Sequence, residues 1–576
     1  MTQGAWGPSR LGLGETLFRL WAPGQNAVEV EIGGATGSAR HAMARHADGW
    51  CEAVVDAPPG TRYCFVLGDG VRVPDPASRL QWGGVHGWSV VPGQDDHVWA
   101  SDAWRGRPWS DAVIQEVHVG VAGGFAALGR DLPRLAALGI TAIELMPIGA
   151  FGGLRNWGYD GVLPFAPAEI YGSPQELKAM IDTAHGLGLM VLLDVVYNHF
   201  GPDGNYLGAY APGFFHADVD TPWGGAVAVE EAAVAAYFTE NALMWLNEYR
   251  FDGLRLDAVH AIGNPAFLRR LSGAIRAGTG AERHVHLILE NEENDAALLG
   301  AGLYDAQWND DFHNVMHVLL TGETSAYYAD FADQPTQRLA RCLSEGFIYQ
   351  GEASVHQDGK RRGSASGHLA PFRFVGFLQN HDQIGNRAMG ERLTVLTDVG
   401  RLRAATALLL LCPHVPLLFM GDEFGARSPF LFFTDFHDEL ADAVREGRRR
   451  EFAKFEGFSD PAARARIPDP NDERTFVASR PERPDDAGDW EALYGMLLGL
   501  RARLIAPRLI GARALGAQVL GDRAVRASWR LGDGAVWSVA INLGDEPVSF
   551  KGAGVLVHAE GEAGARGSFA AWCMEV

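Results

Sequence analysis

Three carboxylic acids each close an apolar run: Asp257 in GLRLDAVH, Glu290 in HVHLILEN and Asp382 in FLQNHD. Charged side chains are rarely buried unless they are paired or used. Glycoside hydrolysis would use them. It needs two carboxyls flanking one bond: one attacks the anomeric carbon or orients water, and the other gives a proton to the departing oxygen. The proton donor must hold a raised pKa. Arg255 lies two residues before Asp257. On a strand both side chains then leave the same face, and a neighbouring cation favours the ionised carboxylate. Asp257 therefore suits the nucleophile. Glu290 has no cation beside it in sequence and suits the protonated acid. Asn380 and His381 beside Asp382, and Asn198 and His199 in DVVYNH, offer groups that can hold sugar hydroxyls. Taken alone, an Asp–Arg pair in a strand is more often a structural ion pair. The recurrence of such strand ends is what points to chemistry.

These residues are far apart in sequence, so the fold must bring strand ends together. From Ala112 onward, short apolar stretches alternate with helical ones. The strand candidates are AVIQEVHVG, ITAIELMPIG, LMVLLDVVYNH, FDGLRLDAVH, HVHLILEN, YDAQWNDDF, FRFVGFLQNHD and VPLLFMGDEFG. In the fourth of these, Gly253 to Val259 reads as strand. Between the second and third, SPQELKAMIDTAHGLG reads as a helix with Ser173 as N-cap and Pro174 in its first turn. Eight βα units predict an α/β fold with a closed (β/α)8 TIM barrel, whose active site lies at the C-terminal ends of the strands. A doubly wound open sheet is the alternative, but no G-x-G-x-x-G follows an early strand. The expected layout is an N-terminal β-sandwich over 1–95, a catalytic barrel with insertions over 110–508, and a C-terminal β-domain over 509–576. The connection 201–234 is long. Tyr206, Tyr210, Phe214, Phe215 and Trp223 mark it as an ordered wall.

Composition excludes other classes. Hydrophobic residues make up 47% and charged residues 21%, as in a folded globular protein. A net charge of -22 argues against a nucleic-acid partner, because phosphate binding needs a basic surface. The five cysteines are scattered, with no C-x-x-C pair, which speaks against a disulfide framework or a structural zinc site. The opening MTQGAWGPSR has no apolar signal core, and the most apolar stretch, Ala404 to Met420, is interrupted by Pro413 and Pro416. A cytoplasmic chain with no membrane contact, no metal and no cofactor is expected.

DVVYNH, GLRLDAVH, LILEN and FLQNHD, in this order, resemble the signature regions of the α-amylase family of glycoside hydrolases. The resemblance covers the barrel. It implies a retaining mechanism with Asp257 as nucleophile, Glu290 as general acid/base and Asp382 as transition-state stabiliser. It also implies that His199, Arg255 and His381 contact or orient the site, and that His260 lies on the leaving-group side. FRLWAP, NWGYDGVLPFAP, VVYNHFGPDGNYL, WLNEYRFDGLRLDAVHAI, FLQNHDQIGNRA and SPFLFFTDF are similar to one branch of that family. That branch cleaves the α-1,4 bond next to the terminal trehalose of a maltooligosyltrehalose. The resemblance then implies a pathway partner, the maltooligosyltrehalose synthase that isomerises the chain end. The stretches EVHVGVAGGFAALGRD and WGGAVAVEEAAV depart from the branch's usual pattern, and both could border the substrate groove.

Further contacts to sugar are expected from Trp157, Tyr159 and Asp160 in NWGYDG, from Asp310, Asp311, Phe312 and His313 in QWNDDFHN, and from Gln383 and Asn386 after Asp382. A packed loop is the competing reading for NWGYDG, and a cation site for QWNDDFHN. Other readings of the whole chain are a metal-dependent barrel lyase, a silent glucan-binding relative, and a branching, debranching or plain amylase enzyme. No lysine ends any of the eight strands to serve a lyase as base.

Overall fold

The computed structural model describes residues 5–12, 14–34, 37–93, 96–221, 224–453, 456–458 and 460–575. Eight parallel strands close into a barrel in chain order: β1 (Ile114–Val117), β2 (Ala142–Leu145), β3 (Met190–Val195), β4 (Gly253–Leu256), β5 (His286–Leu289), β6 (Ala306–Trp308), β7 (Phe374–Gly376) and β8 (Val415–Phe419), with β8 pairing back to β1. Helices follow the strands on the outside. The helix Pro174–Gly186 starts on a full capping box, in which Ser173 accepts from the Glu176 amide and Glu176 reaches back to the Ser173 amide.

The barrel interior is divided along its axis. Ile114, Ala142, Met190, Leu192, Ile288, Ala306, Trp308, Val375, Val415 and Leu417 form one closed apolar cluster at the base. Each valine, leucine, isoleucine or methionine among them contributes about 1.5–3 kcal/mol by leaving water. Above them the inward positions become polar: Glu116, Glu144, Asp194 and Arg255 are all buried. The apolar layers hold the strands rigid, and the polar layer carries the chemistry.

β4 stops earlier than its apolar pattern predicts. The strand ends at Leu256, and Val259–Ile262 is a single helical turn. Between them Ala258 adopts a left-handed backbone with φ of 38°. The chain turns there because the Ala258 amide is drawn to the Glu290 carboxyl at 2.8 Å, and the Val259 amide to the Glu290 carbonyl at 3.0 Å. Gly253 opens the strand for a steric reason: a Cβ there would sit 2.5 Å from the His286 carbonyl oxygen.

Before the barrel stand a four-stranded and a six-stranded antiparallel sheet, packed face to face through contacts such as Phe18 against Tyr63 at 4.7 Å. After it comes a five-stranded sheet from Arg513 to Met574. That sheet is tied to the barrel by Trp537, whose indole donates to the Leu411 carbonyl at 2.8 Å. The 201–234 connection packs against the N-terminal sheets. Phe214 is fully buried and lies between Trp6 and Trp21 at 6.4 and 6.5 Å. Tyr210 is buried with it, and Tyr206 and Phe215 pack at its edge. Trp223 lies outside the described residues.

Candidate active site

Arg255 organises the mouth of the barrel. Its guanidinium is completely buried and lies 4.0 Å from the centre of the Trp308 ring, which caps the apolar cluster below. Nη1 donates to Asp194 at 2.7 Å and to Asp257 at 2.9 Å, and Nη2 lies 2.9 Å from Oε2 of Glu290. The register explains this meeting: Asp194 on β3 stands directly opposite Arg255 on β4. One cation therefore faces three carboxyls from three strands. No cation stands beside Glu290 in sequence, but the pairing of β4 with β5 brings Arg255 to it in space.

Glu290 nonetheless has its pKa raised. Burial is the main cause, the nearby Asp257 adds to it, and Arg255 and the Ala258 amide oppose it. Asp257 is held from the other side by Asn198, whose amide donates 2.8 Å to its carboxylate and 2.9 Å to its carbonyl. Asn198 thus serves the carboxylate directly. Asp382 sits one residue from His381, whose ring is locked 2.5 Å from Glu116 on β1. Burial disfavours the charged imidazole, but Glu116 and Asp382 outweigh it and push the His381 pKa up to about 9. Asp382 itself is shifted up by burial, with His381 opposing.

Around this centre, Tyr159 stacks on His381 with ring centres 5.0 Å apart and donates 2.6 Å to Asp194. Asp160 accepts from Asn156 at 2.6 Å, and burial raises its pKa. His199 is buried beside Asn198, and burial lowers its pKa. A cavity of about 250 Å³ opens over the site, and Glu290, Asp382, His260, Asp310, Gln383 and Asn386 line it. Gln383 donates to Asp310 at 3.4 Å and Asn386 to Asp382 at 3.2 Å.

Three expected sugar contacts lie elsewhere. Asp311 is fully buried, paired with Arg362 at 2.9 Å, and accepts from the Ile348 amide at 2.7 Å and the Tyr349 amide at 3.1 Å. Phe312 belongs to the main hydrophobic core. His313 is buried against the Leu378 carbonyl at 2.6 Å and the Tyr328 hydroxyl at 3.2 Å. The reason is helical geometry: Asp310 to Thr321 is a helix, and successive residues on it point about 100° apart. Of the four, Asp310 alone lines the cavity, together with Asn314 one turn further along the helix. The same divergence separates Asp310, Asp311 and His313 as ligands, and among the described residues no cluster of three or more His, Cys, Asp or Glu side chains could hold a metal ion.

Sequence reasoning passed over Asp194, Glu116 and the 323–362 segment. Asp194 was legible as the acid that opens DVVYNH at a barrel strand end. Tyr327, Asp330, Phe331, His356 and Arg362 of that segment also line the cavity, but apart from His356 they sit on a 3-10 turn (Ala326–Tyr328), one helical turn (Ala329–Ala332) and a two-residue strand (Arg361–Arg362), elements too short to leave a periodic signal.

A family model described as "Alpha amylase, catalytic domain" matches residues 104–210, and one described as "Domain of unknown function (DUF3459)" matches residues 512–572. The malto-oligosyltrehalose trehalohydrolase of Deinococcus radiodurans is 42% identical over 84% of this chain and 81% of that protein. The one from Rhizobium sp. (strain M-11) is 39% identical over 93% of this chain and 92% of that protein. A crystal structure titled as a putative alpha amylase from Salmonella typhimurium superposes with a TM-score of 0.94 at 43% identity, covering 100% of both chains. With relatives this similar along most of its length, and with this site at the mouth of its barrel, the chain belongs to the malto-oligosyltrehalose trehalohydrolases of the α-amylase family.

Proposed function

We propose that the chain is a retaining glycoside hydrolase that cleaves the α-1,4 bond next to the terminal trehalose of a maltooligosyltrehalose, releasing trehalose and a shortened maltooligosaccharide. The named relatives support the substrate. The observation that carries the residue assignment is the single Arg255 guanidinium touching both Asp257 and Glu290. Two carboxyls held by one guanidinium suit the separation of about 5–5.5 Å that retaining enzymes use, against about 6.5–9.5 Å in inverting ones.

In this reading a carboxylate oxygen of Asp257 bonds to the anomeric carbon of the glucan. The bond from that carbon to the trehalose oxygen breaks, and Glu290 gives its proton to the departing oxygen. Water then attacks the anomeric carbon, Glu290 takes back a proton, and Asp257 leaves as carboxylate. Asn198 and Arg255 aim Asp257. Asp382, paired with the His381 cation, faces the charge that develops on the sugar ring. Tyr159, Asp160, His199 and His381 hold the sugar at the bond. His260, Asp310, Gln383 and Asn386 line the cavity where the trehalose leaves.

The route asks for no metal or cofactor. Maltooligosyltrehalose synthase, as the supplier of the substrate, is part of the same reading. So is a cytoplasmic location, which the five free, buried cysteines suit. No described helix is long and apolar enough to cross a membrane.

Incubation with maltotriosyltrehalose and, separately, with maltopentaose tests the substrate. Trehalose release from the first, with much slower cutting of the second, is expected. Equal cleavage of both would overturn the specificity.

A further inference from the structure

Glu144 belongs to the buried polar layer of the barrel but has no part in the proposed reaction. It sits on β2, beside Glu116 of β1 in register, and is 1% exposed. Ala142, two residues before it on the same face, and Leu192, its neighbour on β3, both belong to the apolar cluster at the base. Asp194 follows Leu192 by two positions and shares its face. Glu144 therefore stands on an apolar floor between two other carboxyls.

The cations of this layer already have their partners. Arg255 serves Asp194, Asp257 and Glu290. His381 is held by Glu116, through its ring at 2.5 Å and its amide at 3.1 Å, and its Nε2 lies 3.4 Å from Asp382. Neither carboxyl oxygen of Glu144 has a hydrogen-bond partner among the described residues. Geometry offers it no metal either: among the described residues no group of three or more His, Cys, Asp or Glu side chains could hold an ion. A buried carboxylate without a partner is costly, and such a group takes up a proton instead. The pKa agrees in direction. Burial raises it well above the usual carboxylate range, Glu116 from β1 and Asp194 from β3 add to this, and Arg255 from β4 and His381 from the turn after β7 oppose it. Phe419 on β8, level with Glu116, and Trp308 on β6, under Arg255, do not titrate.

We propose that Glu144 carries a proton at neutral pH and acts as a positioning residue, whose neutral carboxyl leaves Arg255 to Asp257 and Glu290, and His381 to Asp382. Ionised, it would be a rival for both cations. It would draw Arg255 away from the nucleophile and the acid, and His381 away from Glu116 and Asp382. As a neutral spacer it also keeps Glu116 and Asp194 apart, each on its own cation. This role rests on the proposed reaction, but the proton itself does not.

Infrared difference spectra of wild type against Glu144→Gln at pH 7 read the proton directly. The variant should lose a protonated-carboxyl band, and loss of an ionised-carboxylate band would overturn the proposal. Urea unfolding reads it a second way. A raised pKa means that the folded state holds the proton more tightly, so wild type loses stability relative to Glu144→Gln as pH rises. The ratio of their folding constants should shift toward the variant by about tenfold per pH unit from pH 5 to 7. A flat ratio would also overturn it. The positioning role is read with maltotriosyltrehalose. Glu144→Ala should lower kcat at least tenfold with KM within twofold. Glu144→Gln, neutral and of the same size, should turn over at least fivefold faster than Glu144→Ala, and Glu144→Asp should not. Recovery by Asp equal to that by Gln, or full activity in a folded Ala variant, would reject the role. Should Glu144→Ala not fold, the comparison of Gln with Asp still decides. If wild type released no trehalose, the proposed reaction would fail, and the infrared result would still settle the proton.

Discussion

Nη2 of Arg255 lies 2.9 Å from Oε2 of Glu290, the carboxyl assigned as proton donor. A cation so close stabilises the charged form of a carboxyl. Burial and the neighbouring Asp257 act in the other direction, and the balance leaves the Glu290 pKa raised. Glu290 therefore keeps its proton to higher pH than an ordinary glutamate, and activity should fall as pH rises through its pKa. Glu290→Gln cannot donate, so turnover of the natural substrate should drop by about 10²–10⁴-fold. A glycosyl fluoride, whose leaving group needs no proton, should still glycosylate the variant. Comparing the two substrates in stopped assays checks this. Equal loss on both would remove Glu290 from the acid role.

Arg255 is completely buried against Asp194, Asp257 and Glu290. Removing one partner of a buried ion pair leaves uncompensated charge and costs about 3–5 kcal/mol. Arg255→Met should lose stability of that order in urea unfolding, along with activity. A variant as stable as wild type would mean that the carboxyls are held by something else.

His381 gives a pH signature. Its pKa rises from 6.5 to about 9 in the folded chain through Glu116 and Asp382, against burial. A raised pKa means the folded state holds the proton more tightly. The stabilisation is fully present below about pH 6.5 and is lost as pH rises toward 9, for a total of about 3 kcal/mol. His381→Gln should abolish this slope. Urea unfolding of both proteins at pH 6, 7.5 and 9 would show it, and parallel pH profiles would contradict it.

Much of this frame was readable before any coordinates. The eight strands show because each is an apolar run bounded by turns, and Asp257, Glu290 and Asp382 show because they break those runs at one end. Two kinds of feature were not readable. The first depends on three-dimensional neighbours: the left-handed Ala258 ends β4 only because Glu290 comes from β5 to meet its amide, and nothing local in LDAVH encodes that. Likewise Arg255 meets Glu290 only once the barrel closes. The second is direction on a helix. QWNDDFHN supplies four suitable residues, but the helix that starts at Asp310 turns Asp311 toward Arg362, and Phe312 and His313 into the core. The elements that carry Tyr327 and Arg362 are two to four residues long, too short to show a period in the sequence.

The central claim is that Asp257 attacks the sugar and Glu290 serves it. The most direct test is to trap the glycosyl-enzyme with a fluorinated maltooligosyl fluoride in the Glu290→Gln background, digest it, and locate the added mass. The account expects a single sugar adduct on the peptide containing Asp257, and retained anomeric configuration in the product released by wild type. An adduct on another carboxylate, or an inverted product with no adduct, would contradict it.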